Sequence, residues 1–167
     1  MQFQVGDSVF HPVHGVGHIV SVAEKRFVEN QARLYYHITV GKGTLWVPVD
    51  AQETIGLRAI ISKRDLERYR HVLKSRPVAL NEKHSRYRLE LAERLKRGEF
   101  LALCEIVRDL NALAGRKPLG AADQASLRKA REGLDQEWAA AGGVSIAEAT
   151  REIEALLINS RASVGRG

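Results

Sequence analysis

The sequence has few of the residues that form cross-links, metal knuckles or membrane spans. Its 167 residues include one cysteine, Cys104, which excludes an internal disulfide and a CxxC metal site. No uninterrupted apolar run approaches the ~18 residues that cross a bilayer, so no membrane span is expected. The N-terminus has neither a basic nor an apolar signal region. These absences predict a cytoplasmic protein.

The sequence motifs of common enzymes are also missing. There is no GxSxG nucleophile elbow. The glycine-containing stretch at residues 41–44 lacks the upstream glycine of a phosphate-binding loop and leads into a strand. His11, His14 and His18 have no intervening glutamate and no cysteine partner, which disfavours zinc. We therefore predict no catalytic residues, no metal and no cofactor.

Charge is unevenly distributed along the chain. The formal net charge is +6, with 44% hydrophobic and 28% charged residues. Residues 1–60 carry a net charge of 0, residues 61–120 carry +7 and residues 121–167 carry −1. A basic excess confined to one segment is typical of contact with a polyanion such as nucleic acid. The alternative is an ordinary solvated helix surface.

The first 50 residues predict strands. Short runs rich in β-branched and aromatic residues are separated by turn residues, and they lie at residues 8–10, 18–22, 34–40 and 45–49. The turns are predicted at residues 15–17, 29–32 and 41–43. Four or five strands in so short a segment favour a small, strongly bent SH3-like or Tudor-like barrel.

After residue 60 the apolar period changes from 2 to 3.6, which predicts helices. The predicted apolar faces are Leu66, Tyr69, Val72 and Leu73; Leu89, Ala92 and Leu95; Phe100, Leu103, Val107, Leu110 and Ala114; Leu127, Ala130, Leu134 and Trp138; and Ile153, Leu156 and Leu157. Asp123 is predicted to cap the fourth of these helices. The fold class is α+β, with a barrel at residues 1–60, a helical domain at residues 61–159 and a disordered tail at residues 160–167.

Two surfaces are candidates for binding. Arg26 ends the second predicted strand and Trp46 lies in the fourth, so both can share an exposed face that suits a protein interface; alternatively, Trp46 belongs to the barrel core. The basic second helix and the segment before it offer cations for phosphates, namely Lys83, His84, Arg86, Arg88, Arg94 and Arg97. The alternative is a charged surface, because glutamates are interspersed.

The N-terminal segment resembles a known family. Residues 3–17, FQVGDSVFHPVHGVG, are similar to the opening F-x-x-G-D-x-V-x-x-P-x-H-G-x-G of CarD/CdnL transcriptional regulators. The resemblance continues through residues 47–49, 55–58 and 105–110, to about residue 157. It implies a Tudor-like domain that binds the RNA polymerase β subunit and a helical domain that contacts promoter DNA at the upstream edge of the bubble. The implied effect is on open-complex stability, without catalysis. We expect a monomer, because a protein that acts on one polymerase needs no dimer interface.

The resemblance also implies roles for particular residues. Arg26 matches a basic polymerase-contacting position, and Trp46 falls where relatives carry another contact residue, often Arg or Met. His84 stands where relatives have a tryptophan wedge, and Arg86 matches a phosphate-contacting arginine. The expected polymerase-binding residues are Arg26 and Trp46, and the expected DNA-binding residues are Lys83, His84, Arg86 and Arg88.

Three departures from the family pattern motivate alternatives. His84 offers less area than indole for unstacking a base step, Tyr87 replaces an arginine unless Arg88 takes its role, and Gln124 stands where some relatives have lysine. One alternative is a polymerase-tethered adaptor that has lost DNA wedging. The other is an RNA-binding or ribosome-associated adaptor, because small barrels joined to basic helices also serve RNA.

Overall fold

The computed structural model describes residues 2–80 and 86–164. The chain divides into two compact units, residues 1–60 and 61–167. The first unit is an antiparallel sheet and the second is helical. The predicted α+β class is therefore confirmed.

The first unit is a five-stranded sheet with the strand order β4-β3-β2-β1-β5. All strand pairs are antiparallel. The strands are β1 Ser8–His11, β2 Gly15–Val28, β3 Gln31–Val40, β4 Gly43–Pro48 and β5 Arg58–Ala59. A 3-10 turn at Val49–Ala51 and the short helix α1, Gln52–Ile55, connect β4 to β5.

The sheet curls around one hydrophobic cluster. Its buried members come from four of the strands and the flanking segments, and they are Phe3, Val9, Ile19, Tyr36, Ile38, Val47 and Leu57. At the centre, the Tyr36 hydroxyl accepts from the Phe3 backbone N–H at 3.3 Å and donates to Gln52 Oε1 at 2.7 Å. Because strands from β1 to β4 bury side chains in the same cluster, the sheet has the bent form expected of a Tudor-like barrel.

The first hairpin turns earlier than the sequence suggested. Residues 15–17 were expected to separate two strands, but they lie inside β2, and the turn is at residues 12–14. Gly15 closes the hairpin with φ +81°, a conformation that glycine adopts without strain. At Gly17 the chain packs so closely that an added Cβ would lie 2.6 Å from Ile38 Cγ2 and 2.8 Å from the Thr39 carbonyl oxygen. The glycines therefore serve strand packing as well as turning.

The β2–β3 hairpin is longer than expected. Strand β2 has 14 residues, whereas the alternating pattern predicted only residues 18–22. Its distal part, from Glu24 to Val28, is exposed and carries a register shift between Lys25 and Val28. Asn30 completes the turn at φ +66°. Since this arm lies beyond the core, its side chains show no in–out alternation that sequence inspection could detect.

The second unit contains α2 Leu66–Lys74, α3 Arg86–Arg97, α4 Phe100–Arg116, α5 Ala121–Gly142 and α6 Ile146–Val164. Helix α4 packs against α2, α3, α5 and α6, so it is the central helix that the sequence predicted. Phe100 joins three elements, with its ring 4.6 Å from Tyr69 and 6.3 Å from Trp138 between centroids. The core is therefore built around α4.

Helix α3 buries one of its three predicted apolar residues, Leu95, together with Leu91, which was not predicted. Leu91 and Leu95, one turn apart, face the core, while Leu89 is 72% exposed and Ala92 is also exposed. The helix carries charged residues on all sides. Its few apolar residues are therefore compatible with burial of either set, the predicted one or the observed one. Only packing against α4 selects the pair at spacing i, i+4.

Two further expectations differ from the structure. Helix α5 begins at Ala121 with Gly120 as its N-cap, so Asp123 is not the cap and is instead buried. Helix α6 continues to Val164, past the expected start of the tail at residue 160. Ser160 is 1% exposed, and its hydroxyl donates to the Ser75 carbonyl oxygen at 2.7 Å. This long-range contact gives the last helical turns a partner.

We expect Gly17→Ala to destabilise the first unit by about 1–3 kcal/mol, because the new methyl group must displace the β3 backbone and the Ile38 side chain. Gly43→Ala is the matched control, since its Cβ would meet only the Val40 carbonyl oxygen at 3.8 Å. Urea unfolding of both variants measures the difference. Equal free energies of unfolding for the two would contradict the packing role of Gly17.

Candidate functional sites

An aromatic cluster lies on the outer face of the sheet. Trp46 in β4 pairs with His37 in β3, and their rings are stacked at 4.1 Å with an interplanar angle of 9°. Phe27 from the distal part of β2 lies 5.8 Å from Trp46 and 5.0 Å from Tyr35 between ring centroids. Lys25 places its ammonium 5.0 Å from the centre of the Trp46 ring. We call Lys25, Phe27, Tyr35, His37 and Trp46 the Trp46 cluster.

Trp46 belongs to this outer face and not to the barrel core. Its neighbour Val47 is 2% exposed and packs in the core cluster. Adjacent residues of a strand point to opposite faces of the sheet. Trp46 is therefore partly exposed on the outside, where the indole and the 58% exposed ring of Phe27 offer apolar area.

Arg26 lies in the same hairpin arm, but Lys25 is the residue over the Trp46 ring. Arg26 is exposed in the irregular stretch of β2 between Lys25 and Val28. Another cation of the arm, Arg33, is ion-paired with Asp50. Arg26 and Trp46 were expected from the sequence, whereas Lys25, Phe27, Tyr35 and His37 were not. An aromatic residue in an otherwise polar segment, Phe27, was the signal available for finding them.

Strand β4 is an edge strand. Within the described residues it pairs with β3 alone, so one row of its backbone N–H and C=O groups has no strand partner. Such an edge can accept a strand from another protein. The Trp46 cluster thus lies on the face of the sheet beside an open edge.

The basic helix α3 has both paired and unpaired cations. Arg86 is 88% exposed at its side chain and lies 3.7 Å from Glu90, while Arg94 and Arg97 pair with Glu105 and Glu93 at 3.1 and 3.9 Å. Arg88 and Lys96 are both exposed. The Tyr87 hydroxyl and the nearby Asp123 carboxylate raise the pKa of Arg88, so its guanidinium lies beside the Tyr87–Asp123 contact. Arg88 and Lys96 are eight residues apart, which is about 12 Å along the helix axis and about 80° around it. The exposed cations of α3 are therefore available for polyanion contact on more than one side of the helix.

Tyr87 connects α3 to α5. Its hydroxyl donates to Asp123 Oδ2 at 2.6 Å, and Asp123 is 5% exposed. Burial and this hydrogen bond raise the pKa of Tyr87 above its usual value, so the hydroxyl keeps its proton at physiological pH. The guanidinium of Arg88 lies 5.9 Å from the Tyr87 ring centroid. Tyr87, which replaces an arginine of the resembled pattern, therefore holds the helix that carries Arg86 and Arg88.

The remaining predicted DNA-binding residues, Lys83 and His84, lie outside the described residues. Gln124 donates from its side-chain amide to the Leu119 carbonyl oxygen at 2.9 Å, at the start of α5. Arg86 and Arg88 both lie in the first turn of α3, about 200° apart around the helix axis.

The histidines near the first turn form local contacts. His11 Nδ1 accepts from the Val13 backbone N–H at 3.1 Å, and His18 Nδ1 lies 3.0 Å from Ser8 Oγ. Burial and the neighbouring His14 lower the pKa of His11, which favours the neutral imidazole.

Across residues 2–80 and 86–164, no group of three or more metal-ligating side chains comes together. In the same residues, no helix has the length and apolarity needed to cross a bilayer.

Comparison with known proteins assigns the two units. Residues 3–61 match the model of the CarD-like/TRCF RID domain, and residues 69–154 match the CarD C-terminal domain. The chain belongs to the CarD family. The resemblance predicted from residues 3–17 is thereby confirmed, and the Trp46 cluster and α3 lie in the RID and C-terminal domains, respectively.

A curated relative covers most of the chain. It is the Bacillus subtilis (strain 168) protein named "Putative transcription factor YdeB". The two sequences are 27% identical over 145 residues, which span 86% of this chain and 94% of the relative. The similarity therefore extends over both units of this CarD family member.

We expect Tyr87→Phe to lower the free energy of unfolding by about 1–3 kcal/mol, because the buried Asp123 carboxylate loses its hydrogen-bond donor. Chemical denaturation followed by circular dichroism measures this. Arg86→Gln, at an 88% exposed side chain of the same helix, is the control that leaves the Tyr87–Asp123 contact intact. A Tyr87→Phe variant as stable as the parent protein would contradict the anchoring role of Tyr87.

Proposed function

We propose that this CarD family protein is a transcription regulator that binds the RNA polymerase β subunit with its N-terminal unit and upstream promoter DNA with its helical unit. The Trp46 cluster carries the proposal, because it exposes aromatic area beside cations on a domain of the polymerase-interacting RID type. Protein interfaces are enriched in tryptophan, tyrosine and arginine, which supply most of the binding energy.

The polymerase contact uses Arg26 and the Trp46 cluster. Phe27 and Trp46 provide partly exposed rings, and Lys25 and Arg26 provide positive charge in the same arm. The open edge of β4 offers backbone groups next to these side chains. A partner with an acidic, strand-forming segment matches this combination.

The DNA contact uses the N-terminal part of α3. Arg86 and Arg88 project into solvent, and the proposal extends to Lys83 and His84 in the preceding segment. Phosphate contacts by arginine and lysine position a protein on the duplex without reading sequence. With both contacts made, the protein links polymerase to upstream DNA, and this linkage alters the lifetime of the open complex without chemical catalysis.

Arg26→Glu and Trp46→Ala should each weaken binding to an isolated polymerase β-lobe fragment by about thirtyfold or more, as for a hot-spot residue. Lys42→Glu is the matched charge control, because Lys42 is an exposed residue of the β3–β4 turn. Titration calorimetry gives the affinities, and circular dichroism confirms folding. Unchanged affinity in a folded Arg26→Glu variant would refute the assignment of Arg26.

Arg88→Gln should weaken binding to upstream promoter DNA and reduce the slope of log affinity against log salt by about 1, because one phosphate contact is lost. Arg151→Gln, an exposed arginine of α6, is the matched control. Fluorescence anisotropy at several salt concentrations measures the slope. No change in slope would contradict a phosphate contact by Arg88. If the parent protein binds structured RNA more tightly than promoter DNA at the same salt concentration, the RNA-binding alternative is favoured.

A further inference from the structure

The helical unit contains a cavity that none of the proposed polymerase or DNA contacts uses. Its volume is about 450 Å³. One wall is the linker that follows α2, and the others are the C-terminal halves of α4 and α6. The lining residues are Arg76, Pro77, Val78, Ala79, Asp109, Ala112, Gly115, Arg116 and Arg161.

The linker wall is held in place by buried polar contacts. Asp109 Oδ1 accepts from the Val78 backbone N–H at 3.0 Å and from Arg108 Nε at 2.9 Å. Arg108 Nη1 donates to Ser75 Oγ at 2.9 Å, and the Ser75 carbonyl oxygen accepts from Ser160 Oγ. These contacts fix the linker against both α4 and α6. The cavity is therefore formed in advance, which lowers the entropic cost of binding a ligand.

The cavity carries uncompensated positive charge. Among the described lining residues the one carboxylate is Asp109, which is already paired with the buried Arg108. Arg76, Arg116 and Arg161 are exposed and have no carboxylate partner among residues 2–80 and 86–164. Some arginines of this unit are paired, such as Arg70 with Glu152 and Arg131 with Asp135. What distinguishes the cavity is that three guanidinium groups without such a partner in the described residues line one site.

The shape of the cavity depends on a glycine and on an apolar wall. At Gly115 an added Cβ would lie 3.6 Å from Arg161 Cδ and 3.8 Å from its Nη1, so the Arg161 side chain lies over the bare backbone of α4. Pro77, Val78, Ala79 and Ala112 supply apolar surface beside the arginines. The lining thus combines a cationic part with an apolar part.

We propose that this cavity binds a nucleotide that carries two or more phosphate groups. Guanidinium groups match phosphate oxygens in a planar, bidentate geometry. Three of them exceed what a single phosphate needs, and the apolar wall suits the face of a base. The volume falls within the range of about 300–1,000 Å³ that is typical of small-molecule sites. A nucleotide bound there would make the helical unit responsive to a soluble ligand.

Titration calorimetry of the full-length chain with ATP, GTP and inorganic tripolyphosphate tests the proposal. We expect saturable binding of at least one nucleotide, tighter than that of tripolyphosphate. Arg76→Gln, Arg116→Gln and Arg161→Gln should each weaken it by about tenfold or more, as for loss of a charged hydrogen bond. Arg151→Gln, on the same helix as Arg161 but outside the cavity, should bind as the parent does. Thermal unfolding of each variant without ligand verifies folding.

Several results would overturn the proposal. Absence of saturable binding by the folded parent would mean that the arginines only complement the negative ends of α4 and α6, where Arg116 and Arg161 lie in the last turns. Equal weakening by Arg151→Gln would indicate diffuse surface charge. Tripolyphosphate binding as tight as the nucleotides would remove the role of the apolar wall. Loss of duplex DNA binding in the three variants, with no nucleotide binding, would assign the cavity to DNA phosphates.

Discussion

The antiparallel pairing of β2 with β3 is the constraint on which the N-terminal unit depends. Ile19 pairs with Ile38 and Val22 with Tyr36, so the inner side chains of both strands meet in the core. The close approach at Gly17 is needed for this pairing. The register shift between Ile19 and Ser21 places Val22 opposite Tyr36 and Lys25 opposite Arg33, and Lys25 and Phe27 lie on the outer face beside Trp46. A single hairpin thus builds both the core and the candidate polymerase contact.

In the helical unit, buried polar contacts determine where the surface cations are presented. Tyr87 ties α3 to α5 through Asp123, and Arg94 ties α3 to α4 through Glu105. The buried Arg108 and Asp109 hold the linker after α2. Removing one partner of such a pair leaves a buried group unsatisfied, which is costly. These residues therefore limit the geometry of α3 and of the arginine-lined cavity.

The two units of this CarD family protein differ in net charge and in exposed aromatic area. The first is neutral overall and exposes aromatic area, whereas the basic excess of the chain lies in residues 61–120 of the second. Apolar area and cation–π contacts suit a protein partner. Unpaired cations suit phosphates, whether these belong to DNA at α3 or to a small ligand in the cavity. Each surface thus has the physical chemistry of its proposed partner.

The sequence by itself determined the fold class, the change from strands to helices near residue 60, the central position of α4 and the family. These follow from apolar periodicity and from the motif at residues 3–17, which are local properties of the chain. Only the tertiary structure decided that Trp46 lies outside the core, that Leu91 and not Leu89 is buried, that Asp123 binds Tyr87 and that three distant arginines share a cavity. The reason is physical: strand register, the buried side of a charged helix and the convergence of separate helices depend on contacts between residues far apart in sequence, which local patterns do not encode.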